Sequence, residues 1–246
     1  MRQLFGSTIL LFLAVLLAGC ARYPTTGTST TVPARTLYCE MTVNGSSQGQ
    51  IDPNDYYFLA ITVDQNDVTG PVPVVTGPGL SSGWGTISGL SNNLVQIPPF
   101  YVYIHNGTFT QFRDSGDHSN FDNLHAPFRY GVTTDNKTVY VEIDESLLTP
   151  LVGSATDPII QANWITMQYI DTPPQDQIGL VKQYDGFGPT GSSYLHPMHL
   201  LSSQSYESTS LPGSPYYEPV YGPDERTASD PNIDISHWKV EVRINQ

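Results

Sequence analysis

The sequence is poor in charge, and poorest in positive charge. Of 246 residues only 10 are Lys or Arg, against 23 Asp or Glu, giving a formal net charge of −13 at pH 7. Charged residues make up 13% of the chain, roughly half the ~25% of an ordinary globular protein. Such a balance repels phosphate backbones and excludes nucleic acid as a partner. Cysteine is nearly absent, with only Cys20 and Cys39, so a scaffold held by several disulfides is excluded. Long hydrophobic runs are also missing. The apolar stretch at residues 9–17 falls well short of the ~20 residues that a membrane-spanning helix needs. What is present is apolar and aromatic side-chain surface: 39% hydrophobic and 11% aromatic residues, including 15 tyrosines, enough to build a core and exclude global disorder. The 21 glycines and 20 prolines imply many turns, and the length suits one domain, since all-β domains commonly run to ~200–250 residues.

The N-terminus has the three regions of a signal peptide: Arg2, the apolar stretch, and the small-residue ending Leu17-Ala18-Gly19-Cys20. Leu-Ala-Gly-Cys resembles the lipobox of bacterial lipoproteins. The resemblance implies export, cleavage between Gly19 and Cys20, and acylation of Cys20, which becomes the membrane anchor; one acyl chain holds weakly and two or more hold stably. Ala21 after the cysteine resembles the sorting pattern for the outer membrane, where the source has two membranes. With residues 1–19 removed and Cys20 acylated, Cys39 is the sole thiol, and its alternation with Leu37, Met41 and Val43 predicts a buried, inert side chain. Residues 20–35 carry Thr, Pro, Gly and Ser without an apolar period and read as a tether able to span at most about 50 Å. Residues 36–246 form the body.

The body is a series of period-two segments broken by turn residues, with almost no helical period. Residues 37–43 alternate, and residues 56–63 are nearly all apolar, as in a strand covered on both faces. Residues 100–105 and 109–113 flank Asn106-Gly107, a strong hairpin signal. Residues 128–133 and 138–143 flank Asp135-Asn136-Lys137 and should pair as a second hairpin. Residues 164–170, 178–183 and 238–244 are further strands, the last with a charged face that must meet water. Asp157-Pro158 offers an N-cap and a first-turn proline for a short helix through Asn163, and residues 144–151 offer another short turn, stopped by Pro150. The fold expected is all-β: a single antiparallel β-sandwich, jelly-roll or immunoglobulin-like, with long loops and at most one or two short helices.

Several motifs carry chemistry only in a context this chain does not offer. Gly79-Leu80-Ser81-Ser82-Gly83 matches the nucleophile elbow of serine hydrolases, with His196, His199 or His237 as a base, but the helix that must follow is replaced by Trp84-Gly85-Thr86. Gly186-Phe187-Gly188-Pro189-Thr190-Gly191 has dinucleotide spacing, but Pro189 denies the helix that would receive the phosphates. His196-Pro197-Met198-His199 lacks the zincin glutamate. Asp114, Asp117 and Asp122 are the densest set of hard oxygen ligands and the candidates for a structural calcium ion; a solvated acidic loop is the competing reading. No other cofactor is indicated.

The segment from Tyr56-Tyr57-Phe58-Leu59-Ala60-Ile61-Thr62-Val63 into Asp64-Gln65-Asn66-Asp67-Val68-Thr69-Gly70-Pro71 resembles the strand and acidic turn of CBM9-like and DOMON-like sandwiches. That resemblance implies a sandwich of a kind that often binds sugar or haem, and it transfers no binding residue. Trp164 and Trp238 lie in strand patterns and are core candidates. Trp84, Tyr206, Tyr216, Tyr217 and Tyr221 lie in the two long Gly/Pro-rich stretches and are the candidate aromatic platform for a ligand such as a glycan. The expected role is a lipid-anchored, extracytoplasmic, non-catalytic binding module of the cell envelope. A structural or assembly partner of an envelope protein is the second reading, and a serine hydrolase acting through Ser81 the third.

Overall fold

Alternating apolar residues place one face of each strand inward, and here two antiparallel sheets close on each other across a shared apolar layer. The computed structural model describes residues 32–44, 49–62, 71, 98–115, 120–169, 183–189, 194–219 and 230–245. The strands are β1 (Arg35–Val43), β2 (Tyr56–Thr62), β3 (Phe100–His105), β4 (Thr108–Asp114), β5 (Phe121–Asn123), β6 (Arg129–Val132), β7 (Thr138–Asp144), β8 (Ile159–Met167), β9 (Tyr184–Asp185), β10 (Leu195–His199), β11 (Gln204–Glu207) and β12 (Ile235–Ile244). One sheet has the order β11-β12-β1-β7-β6. The other has the order β10-β8-β2-β3-β4-β5, with β9 joining β10 along the free edge of β8. The expected all-β sandwich is the fold of the body.

The layer between the sheets takes Leu37, Cys39, Met41 and Val43 from β1, Val139, Val141 and Ile143 from β7, and Trp238, Val240 and Val242 from β12. Tyr57, Leu59, Ile61, Phe100, Val102, Ile104 and Trp164 meet them from the second sheet. Trp164 is fully buried and Trp238 nearly so, as their strand patterns predict. Cys39 is a buried free thiol, and burial pushes its pKa far above the ordinary range. The second sheet is covered on its outer face too, where Tyr56, Phe58, Ala60, Tyr101, Ile165 and Met167 form a second buried cluster. All seven positions of β2 are therefore buried, which explains its unbroken apolar run. The outer face of the first sheet is wet and charged: the Arg243 guanidinium lies 3.7 Å over the Tyr38 ring and pairs at 2.8 Å with Glu241, two residues back along β12 and the cross-strand neighbour of Tyr38.

Both hairpins form in the expected register. Asn106 and Gly107 have φ of 51° and 69°, the doubly positive pair that a two-residue turn between twisted strands requires, and His105 pairs with Thr108. Asn136 has φ of 58°, and its N–H donates to Thr133 O at 2.9 Å, closing the turn between β6 and β7. After β7, Asp144 caps a 3-10 turn (Glu145–Leu147) by accepting the Ser146 N–H at 2.9 Å.

Three local expectations change. Asp157-Pro158 starts no helix; residues 159–167 are the long strand β8, whose β-branched Ile159, Ile160, Ile165 and Thr166 suit a sheet and which pairs along the whole of β2. Pro150 stops nothing. It sits in the first turn of the short helix α1 (Thr149–Val152), where a proline's missing N–H costs no hydrogen bond. His196-Pro197-Met198-His199 makes up most of β10, a strand that the alternation does not single out, with an irregularity in register between Leu195 and Met198 that accommodates the proline.

Candidate functional site

Two short runs, Asp52-Pro53-Asn54-Asp55 and Asp230-Pro231-Asn232, lead into strands β2 and β12. Each makes the same local structure. Asp52 Oδ1 accepts the Asn54 N–H at 2.8 Å, and Asp230 Oδ1 accepts the Asn232 N–H at 3.0 Å, the side chain of an aspartate closing a turn on the residue two ahead. The two turns are fastened together. Gln50 N–H donates to Asn232 Oδ1 at 2.9 Å, and the Tyr57 hydroxyl accepts from Asp52 N–H at 2.9 Å and donates to Asn232 O at 3.2 Å. Gly49 passes so close that a Cβ there would lie 2.3 Å from Pro231 O, so a side chain at this position would push the turns apart.

The third contributor is the chain leaving β8. Tyr169 N–H donates to Asp55 Oδ1 at 2.8 Å, and Gln183 links the remaining pieces by accepting the Gln168 N–H on its carbonyl at 2.9 Å and the Asp230 N–H on its side chain at 3.0 Å. Together Asp52, Asn54, Asp55, Gln168, Tyr169 and Asp230 line a cleft of about 390 Å³ at one end of the sandwich. Tyr169 is 39% exposed and backs onto Tyr56 and His105, 6.0 Å from each, while those two rings stack at 4.2 Å. The site thus combines three carboxylates, two amide side chains and one accessible aromatic ring on well-braced backbone.

Its electrostatics are unbalanced. Burial pushes Asp55 up to about 6; the Tyr169 N–H opposes that rise, and the charges of Asp52 and Asp230 add to it. Asp234, just beyond on the same lead-in, is pushed up to about 6 by burial, against the pull of its 2.5 Å hydrogen bond from Asn44. Between about pH 4 and 6 the folded chain holds protons on these groups that the unfolded chain has released, so they favour the folded state at low pH and the advantage disappears as pH rises through 6. Asp55 lines the open cleft, and solvent screening there leaves about 1 kcal/mol at stake. Asp55→Asn is expected to raise the melting temperature by about 2–4 °C at pH 8 and to leave it nearly unchanged at pH 4; a fall at pH 8 contradicts this account.

The residues singled out from the sequence are placed as follows. Tyr206 and Tyr216 come together edge to face at 5.9 Å, and Tyr216 continues onto Trp238 at 6.1 Å. Both are half-buried and packed against the core, so much of their ring surface is already used. Tyr217 is half-buried beside them, its backbone bridged to Thr209. Trp84, Tyr221, Ser81, Asp117 and Cys20 lie outside the described residues. Of the calcium candidates, Asp122 pairs with Arg113 at 3.5 Å, and the register of β4 against β5 sets Asp114 on the opposite face from Asp122. Among the described residues no three acidic, histidine or cysteine side chains gather closely enough to hold a metal ion.

The remaining motifs have structural uses. Phe187 of the glycine-spaced motif is buried and stacks on Trp238 at 4.2 Å, and Gly188, at φ 81°, donates its N–H to Glu218 at 3.0 Å. His237 contacts Ser208 Oγ at 3.0 Å and Glu207 at 3.5 Å, while Ser208 Oγ accepts the Trp238 N–H at 3.0 Å, which straps the end of β11 to β12.

The acidic cleft went unread in the sequence because its parts lie up to 178 residues apart. The available signal was the repeated Asp-Pro-Asn turn before a strand. Comparison with protein-family models, curated proteins and solved structures finds no match to this chain. Among the described residues no helix is long and apolar enough to cross a membrane.

Proposed function

We propose that this chain is an exported lipoprotein, anchored by acyl groups on Cys20, whose β-sandwich is a non-catalytic carbohydrate-binding module of the cell envelope. The supporting observation is the cleft in which Asp52, Asp55, Asp230, Asn54 and Gln168 surround an accessible Tyr169 ring. Carboxylates and amides are the groups that hydrogen-bond sugar hydroxyls, and an exposed aromatic face packs on the apolar side of a sugar ring. A cleft of about 390 Å³ lies in the size range of small-molecule sites. The braced turns that hold it fit a binding role, since a preorganised site loses little conformational entropy on binding. The cleft therefore supports the carbohydrate reading better than the half-buried Tyr206 and Tyr216 do.

The test is a binding panel of short oligosaccharides, neutral and amino, read by intrinsic fluorescence and melting temperature. At least one is expected to raise the melting temperature, with the gain lost in Tyr169→Ala. A panel that leaves both readouts unmoved overturns the reading.

A further inference from the structure

The two ends of the sandwich differ in what they expose. Strand β1 begins at Arg35, opposite Ile244 at the close of β12, and ends at Val43, opposite Ile235. The chain from Cys20 therefore joins the body at the Arg35–Ile244 end, and the acidic cleft, whose Asp230 precedes β12, lies at the other. Among the described residues five large hydrophobic side chains are exposed: Val32, Tyr169, Leu201, Leu211 and Ile244. Three of them, Val32, Leu201 and Ile244, gather at the tether end. Asn245 fastens the chain beside Val32 to the close of β12, its N–H donating to Ala34 O and its side-chain amide to Pro33 O, both at 2.9 Å. Leu201 lies in the turn between β10 and β11, and β11 opens with Gln204 opposite Val242, two residues before Ile244. Helix α1 follows β7 at the same end, with Pro150 exposed and Leu151 and Val152 half-buried. Apolar side chains scattered singly over a surface need no explanation, but a group of them at one end does.

The charges at this end also suit a lipid surface. Arg35 pairs with Glu145 at 3.8 Å and Arg243 with Glu142 at 3.9 Å. In both pairs the cation looks outward, the arginine side chains being 38% and 34% exposed against 12% and 4% for the glutamates. Asp144 caps the Ser146 N–H, Asp157 pairs with His199 and Asp122 with Arg113. Exposed apolar groups flanked by arginines are the composition that binds the boundary between lipid headgroups and acyl chains.

The tether is short enough to keep that end down. The 12 residues from Ala21 to Val32 span roughly 20 Å on average by the statistics of a chain of their composition. That is less than the roughly 30 Å length of the nine-residue β1. A surface held so close meets the membrane at an effective concentration on the order of millimolar, so a weak affinity is enough to dock it.

We propose that the tether end of the sandwich is a membrane-docking surface: Val32, Leu201 and Ile244 enter the headgroup layer of a phospholipid bilayer, Arg35 and Arg243 lie at the level of its phosphates, and the cleft faces away from the membrane. The proposal rests on the reading of Cys20 as the acyl anchor and is independent of what the cleft binds.

The test uses the acylated full-length chain in vesicles made of an equal mixture of phosphatidylethanolamine and phosphatidylglycerol. Cys39 is fully buried and Cys20 is acylated, so an introduced cysteine is the thiol that takes a fluorescent label. Labels are placed singly through Leu201→Cys, Ile244→Cys and Asp135→Cys, the last on the exposed turn at the opposite end. Lipids brominated in their acyl chains then quench the labels that insert, since bromine quenches only on contact. Quenching at positions 201 and 244 is expected to exceed that at 135 by about threefold or more. Ile244→Asp, added to the Leu201→Cys chain, is expected to cut the quenching at 201 by about half or more, because a carboxylate resists entry into the bilayer. Should melting curves show that variant to be unfolded, Val32→Asp, on a more exposed residue, takes its place.

Equal quenching at all three positions, none at 201 and 244, or quenching at 201 that survives the aspartate overturns docking and leaves the anchor and the carbohydrate readings standing. A chain that takes up no acyl label overturns the anchor and the docking surface together.

Discussion

Cells making the chain with Cys20→Ser are expected to accumulate an uncleaved precursor that takes up no acyl label, while the unaltered chain is cleaved after Gly19 and partitions wholly with membranes. The expectation rests on Leu17-Ala18-Gly19-Cys20 following a short apolar stretch. Serine keeps the shape of the site but offers no sulfur to acylate, so both the processing signal and the anchor vanish together. The effect is close to all-or-none because anchoring free energy grows by about 0.8 kcal/mol for each buried methylene, and two chains carry many of them. Pulse labelling with a radioactive fatty acid, followed by membrane fractionation, reads both steps. Normal cleavage and continued labelling of the serine variant would refute the anchor.

The largest loss of fold stability is expected from Asp185→Ala. Asp185 is fully buried on β9, where it pairs with Thr166 of β8. Its two oxygens reach different parts of the molecule: Oδ1 accepts the Gly186 N–H and Oδ2 the Ile235 N–H, both at 2.7 Å. Ile235 begins β12 in the opposite sheet, so one carboxylate buckles the edge of one sheet to the start of a central strand in the other. Alanine would leave two buried N–H groups without acceptors and a small void, costing about 3–5 kcal/mol. That is a large share of the 5–15 kcal/mol by which domains are usually stable, and it corresponds to a melting temperature lower by about 10 °C or more. Asp185→Asn keeps one acceptor but turns an amide N–H toward a backbone N–H, so it should fall between. Denaturant unfolding of the three proteins checks the order, and an alanine variant within 2 °C of the parent would show that the buckle is dispensable.

How far the sequence revealed these features depended on how local each cause was. Asn106-Gly107 set its hairpin because two residues fixed the turn. The unbroken apolar run of β2 marked a strand buried on both faces, and the alternation of Trp238, Val240 and Val242 marked a half-exposed one. Residues 157–163 misled because Asp-Pro is a good helix opening by local chemistry, whereas the pairing of β8 along all of β2 outweighs it. Strand β10 was hidden by Pro197, which an edge strand tolerates and a central one does not.

The site was less legible than the fold. Asp52, Asp55, Tyr169 and Asp230 belong to three separate stretches, and only the placement of β2, β8 and β12 brings them together at one end of the sandwich. Asp185 was equally hidden: an aspartate beside Gly186 reads as an ordinary turn residue until its second oxygen is seen on β12. The tyrosines of the 202–219 stretch attracted notice by their number, yet Tyr216 spends its ring on Trp238.

The most direct test of the account is a map of where sugar binds. Amide ¹H–¹⁵N correlation spectra, recorded while the protein is titrated in turn with cellotetraose, the N-acetylglucosamine tetramer and the glucosamine tetramer, read every site at once. The account predicts that at least one probe shifts the amides of Asn54, Asp55, Tyr169 and Asn232 as a group, at concentrations that leave residues 206–217 unmoved. Spectra in which none of the three probes moves that group, or in which shifts appear only among residues 206–217, would contradict it.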